Sequence, residues 1–152
     1  MISQIKQKGF TIVELLIVIV VIAILAALSY VGYTSITARA NSSTAAAAAK
    51  AVKDTAQTFN GANGAYPVSR AEFLSGGTDA VAKMPSDIVF AANAAAITGL
   101  STSAPKTVLV ERSPATGTIT GFRITHRDFA GGTNVETVVG TLTPSTPTFA
   151  TL

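Results

Sequence analysis

The chain has 152 residues, room for one ordinary domain, with 48% hydrophobic residues against 12% charged and a mean hydropathy of +0.46. A soluble domain carries roughly 25% charge, so a solvating charged tail and an intrinsically disordered chain are excluded. The formal net charge is +3, and the basic residues beyond the first ten positions are scattered from Arg39 to Arg127 without a run or stripe, which argues against specific nucleic-acid binding. There is no cysteine and one histidine, which rules out disulfides, thiol catalysis, Cys-zinc sites and multi-His metal sites.

The shortage of charge is concentrated near the start. Leu15 to Leu28 contains only Leu, Ile, Val and Ala, and the 19 residues from Phe10 to Leu28 carry a single charge, Glu14. About 20 apolar residues span a bilayer as a helix, so the block qualifies as a membrane segment. Lys6 and Lys8 precede it with no acidic residue before Glu14, which places the amino end on the cytoplasmic side and the bulk of the chain outside. A conventional signal peptide shares the basic start and has small residues like those near Ala27 and Ser29. The length of the run counts against it, and so does Glu14, because a carboxylate inside an apolar run costs a few kcal/mol unless it is paired.

The stretch Lys8-Gly9-Phe10-Thr11-Ile12-Val13-Glu14-Leu15 resembles the processing and assembly motif of type IV pilins and pseudopilins. The resemblance covers about the first 30 residues. It implies a leader, residues 1–9, cut after Gly9 by a prepilin peptidase on the cytoplasmic side. Phe10 is then the N-methylated mature terminus, and the apolar helix is retained. It also implies that Glu14 pairs with the amine of Phe10 in the filament core. Physically, a charge in an apolar bundle needs a partner, and an amine at i against a carboxylate at i+4 can supply one, within a subunit or between neighbours. Two features depart from the family: Ala23 and Val31 stand where a helix-loosening glycine and proline are frequent, with Gly32 following. The two-cysteine loop of many Gram-negative pilins is absent.

After the block the helical pattern continues. Tyr30 and Tyr33 suit either a membrane interface or helix packing. Residues 45–49 are all alanine, and Val52, Ala56 and Phe59 fall at i, i+4 and i+7, predicting one apolar face and a helix ending near Asn60-Gly61. The expected organisation is a leader over 1–9, a membrane and filament-core helix over 10–33, its amphipathic continuation over 34–60, and a globular head over 61–152. Gly61 to Pro67 reads as a turn. Ser69-Arg70-Ala71-Glu72 fits a capping box opening a short helix to about Ser75, with Gly76-Gly77 as its stop. Residues 78–104 are ambiguous: 88–90 suits a strand and 91–97 a helical turn. Three segments rich in Val, Ile, Thr and Phe follow, at 107–112, 121–127 and 134–142, separated by breakers as in an antiparallel meander. Alternation in the middle one sends Phe122 and Ile124 toward the helix, and Arg123, Thr125 and Arg127 away from it. The tail 143–152 reads as loose or an edge strand. The fold class is α+β and pilin-like, with the outer half of a long helix on a small antiparallel sheet.

Other chemistry is sparse. His126 continues the phase of Phe122 and Ile124 and reads as a structural imidazole, since no nucleophile motif accompanies it. The segment from Asp128 to Asn134 has oxygen donors that suit calcium but lacks the acidic spacing of a dedicated loop, so a hairpin turn is expected. No cofactor, metal site or enzymatic activity is expected. The expected function is that of a structural subunit, the major pilin of a type IV pilus. Its partners would be the prepilin peptidase, the pilus assembly machinery, the membrane and copies of itself. It would be anchored in the inner membrane first and displayed at the cell surface as filament later. Two alternatives stay open: a pseudopilin of a secretion or DNA-uptake system, and a surface-binding domain on a generic anchor. Cutting after Gly9 removes Lys6 and Lys8 and leaves 9 basic against 8 acidic side chains.

Overall fold

The computed structural model describes residues 9–77, 82–102, 104–142 and 150–151. The order of elements is α1 (Ile12–Asn63), α2 (Arg70–Ser75), β1 (Val89–Phe90), α3 (Ala94–Thr98), β2 (Thr107–Ser113), β3 (Gly121–Asp128), β4 (Thr133–Gly140) and β5 (Ala150–Thr151). Two compact units divide the chain at 37/38, inside α1.

The first unit contains the apolar part of α1. Every residue from Gly9 to Ile36 is exposed. An 18-residue window has mean hydropathy 3.1 with none of it buried, so the helix is long and apolar enough to cross a membrane. Polar side chains here turn inward on their own helix: Ser29 donates to the Leu25 carbonyl at 2.8 Å, and Thr37 to that of Tyr33 at 3.0 Å. Such back-bonding removes a hydroxyl's need for an outside partner, which suits apolar surroundings.

The second unit holds the core. On α1 the buried residues are Ala45, Ala48, Ala49, Val52, Thr55, Ala56 and Phe59, a stripe with three- and four-residue steps. The predicted face of Val52, Ala56 and Phe59 is thus the one that packs. Alanines keep the helix surface low, and larger side chains from the sheet fill the space: Val108, Val110, Phe122, Ile124 and Val139 join Ala48, Ala49, Val52 and Ala56 in one cluster. Phe73 of α2 meets Phe90 and Phe122 edge-on at 5.6 and 5.8 Å, and Tyr66 meets Phe122 at 5.6 Å.

Strand order is β1-β2-β3-β4. The three predicted strands are present, and β2–β3 and β3–β4 pair antiparallel as a meander. The sheet is nevertheless mixed, because β1 joins β2 in parallel through Val89↔Thr107 and Phe90↔Val108. Strand β5 uses the same edge of β2 further along, at Glu111 and Arg112. Residues 143–149 and Leu152 of the predicted tail, and residues 78–81 and Ser103 of the ambiguous stretch, lie outside the described residues.

Several local expectations are met with small shifts. Ser69 caps α2 and accepts the Glu72 N–H, while the Glu72 carboxylate takes the N–H of Val68 at 2.8 Å. Gly76 closes the helix in the left-handed region at φ 80. Helix α1 runs past Asn60-Gly61 to the next Asn-Gly pair, where the Gly64 N–H bonds the Asn60 carbonyl at 2.9 Å and Gly64 turns at φ 69. Thr125, expected to face away from the core, is buried. It pairs with Leu109, which belongs to a second small cluster with Ala91 and Ile97, so α3 covers that face of the sheet.

Candidate functional site

The amino end of α1 is built by a reciprocal set of short bonds. Thr11 stands just before the first helical residue, Ile12, and its hydroxyl oxygen accepts the Glu14 N–H at 3.2 Å. The Glu14 carboxylate reaches back, and its Oε2 accepts the Thr11 N–H at 2.8 Å and the Thr11 hydroxyl at 2.7 Å. This is a complete capping box, Thr-x-x-Glu. A helix start leaves backbone donors without partners, and an N-cap satisfies one of them for about 1 kcal/mol. The carboxylate also lies at the positive end of the helix dipole. The same spacing that marks Ser69-Arg70-Ala71-Glu72 is legible in Thr11-Ile12-Val13-Glu14. Glu14 thus has a local role beside the assembly role that the resemblance implies.

Around this box the surface is apolar and open. Phe10 is 90% exposed. Phe10, Glu14, Leu15, Ile17 and Val18 line one groove. A Cβ added at Gly9 would meet no atom of the described residues within 4 Å, so none of them demands glycine there. Residues 1–8 of the expected leader lie outside the described residues. Chemically, the site offers one carboxylate, whose Oε1 has no hydrogen-bond partner among the described residues, one aromatic residue and an apolar helix surface.

The second polar cluster lies in the head, within its own unit. The Ser42 hydroxyl donates to Asp128 Oδ1 at 2.6 Å and accepts the Ala130 N–H at 2.9 Å, which ties α1 to the turn between β3 and β4. The Ser42 hydroxyl is the first cause holding the Asp128 carboxyl below its usual value, followed by the N–H groups of Gly131 and Ala130. The segment after Asp128 is the expected hairpin turn, closed by the Gly132 N–H on the Asp128 carbonyl at 2.9 Å. His126 is buried, and among the described residues its Nδ1 has no hydrogen-bond partner. Burial pushes its pKa down, against the pull of the Asp128 carboxylate. The tie through Ser42 was not legible, because 86 residues separate its partners.

Residues 5–30 match the prokaryotic N-terminal methylation motif, the prepilin motif of type IV pilins and pseudopilins. The match covers the capping box and most of the exposed apolar helix. No curated protein and no solved structure matches the chain. The motif implies a membrane-anchored precursor of pilin or pseudopilin type, processed by a prepilin peptidase and handled by membrane assembly machinery.

Proposed function

We propose that the protein is a structural subunit, the major pilin, of a type IV pilus, cut between Gly9 and Phe10, N-methylated on Phe10, and polymerised through α1. The observation that carries this reading is the wholly exposed apolar helix, whose 18-residue window has mean hydropathy 3.1 and whose one charge, from Phe10 to Leu28, is Glu14. A surface of that kind must be covered, by lipid before assembly and by copies of itself afterwards. Lipid is as apolar as the side chains, so hydrophobicity alone does not favour the filament over the membrane. Close helix packing and polar pairing have to supply the difference. Glu14 supplies the polar term by pairing with the Phe10 amine of a neighbouring subunit. That pairing fixes subunit register more than it adds stability.

In this scheme the second unit, residues 38–152, which contains the head over 61–152, is exported and forms the filament surface. No step is catalytic. The cluster at Asp128 ties the head to its own helix segment and takes no part in processing.

Glu14→Ala tests the assembly role. Cleaved subunits should accumulate in the membrane at wild-type level while filament number falls at least tenfold, measured by electron microscopy and by immunoblotting of sheared material. Wild-type filament numbers at equal subunit level would remove Glu14 from assembly.

A further inference from the structure

Both donors of Thr11 converge on a single oxygen of Glu14. The backbone N–H and the hydroxyl reach Oε2, at 2.8 and 2.7 Å. Among the described residues no hydrogen bond reaches Oε1. A carboxylate has about four acceptor positions, so half of this one is engaged inside the chain and half is open.

We propose that Thr11 is the positioning residue of Glu14. The capping box holds the carboxylate through Oε2 both in the free subunit and in the filament, and Oε1 alone takes the amine of the neighbouring copy. This rests on the assembly reading above and adds a division of labour between the two oxygens. Assembly then adds a bond to a carboxylate that is already fixed, rather than exchanging one partner for another. Holding the side chain in one rotamer beforehand lowers the ordering cost of docking. It also lets the charge sit in apolar surroundings with two short hydrogen bonds to it in place before any neighbour arrives. The competing scheme is an exchange, in which the box opens and the amine replaces both Thr11 donors.

Three substitutions separate the schemes. Thr11→Val keeps the branched shape and loses the hydroxyl. Thr11→Ser keeps the hydroxyl. Glu14→Gln keeps one oxygen able to accept from Thr11, since Gln serves at this position of a capping box. Its amide nitrogen donates, however, and cannot accept an ammonium. Amide hydrogen exchange at residues 14 and 15 of the cleaved, full-length subunit in detergent micelles reads the cap. Filament yield per cleaved subunit reads docking.

Thr11→Val should exchange several-fold faster and give several-fold fewer filaments, and Thr11→Ser should restore both. Glu14→Gln should exchange at the wild-type rate yet give almost no filaments. In assembled filaments, solid-state NMR should find the Thr11 nitrogen as close to the Glu14 carboxyl carbon as it is in the subunit. Thr11→Val with wild-type exchange and yield would overturn the proposal, as would Glu14→Gln exchanging like Thr11→Val, or loss of the Thr11–Glu14 contact in filaments. Normal filaments from both Glu14→Gln and Glu14→Ala would instead sink the assembly reading itself, with the exchange rates still judging the cap.

Discussion

Gly121 and Gly140 face each other across the β3–β4 ladder, and neither has room for a methyl group. A Cβ on Gly140 would lie 2.4 Å from the Thr120 carbonyl oxygen, and the residue sits at φ 71, where L side chains are strained. Gly140→Ala should therefore cost about 2 kcal/mol or more, read as a lowered thermal midpoint of the detergent-solubilised subunit. Gly61 is the contrasting case. It is helical with open space around its Cα, so Gly61→Ala should raise stability by about 0.5–1 kcal/mol. A shift of the same sign for both would contradict this assignment. His126 gives a pH dependence. Its folded pKa is lowered by burial, so the unfolded chain holds the extra proton over the window between the two values. Its contribution is complete above about pH 6.5 and declines as pH falls from there toward the folded value. His126→Gln should flatten that part of the stability profile. Asp128 acts lower: its carboxyl is held below the usual range, so its contribution is present above about pH 3.9 and fades as pH falls further.

At the scale of elements, local signals were legible and long-range ones were not. The cap at Ser69, the stop at Gly76 and the three strands of the meander follow from residues within a few positions of one another. The end of α1 came one Asn-Gly pair late, because Gly61 is tolerated near a helix end when the Asn63 side chain can still bond the Phe59 carbonyl, at 3.0 Å. Strand β1 is two residues long, and 16 residues separate it from its parallel partner. Nothing in Val89-Phe90 specifies that pairing. Thr125 was assigned to the outer face by alternation, and it does lie there, but α3 covers that face. Alternation reports the side of a sheet and not what lies on it. The central contact between elements is Phe122, fully buried where α1, α2 and β3 meet and ringed by Tyr66 and Phe73. Phe122→Ala should cost about 3–5 kcal/mol, visible as early unfolding in urea. A cost below about 1 kcal/mol would mean that the helix is not held on the sheet by this side chain.

For the whole molecule, a composition that looked lopsided resolves into two unlike parts. In the head, apolar residues are mostly buried between α1 and the sheet and beneath α3. In the first unit those among the described residues, from Gly9 to Ile36, are all exposed. A fold leaves such a surface only where something else will cover it. The candidate site was legible in the same way: Gly9, Phe10 and Glu14 stand out because they punctuate an otherwise apolar start. The cap formed by Thr11 is equally local, since Thr11 and Glu14 stand three residues apart. Mass spectrometry of the amino-terminal peptide of the protein isolated from its membrane bears most directly on processing at this site. A peptide beginning with N-methylated Phe10, with the apolar helix still attached, is the expected result. A mature chain beginning near Tyr30, with the helix removed, would contradict it.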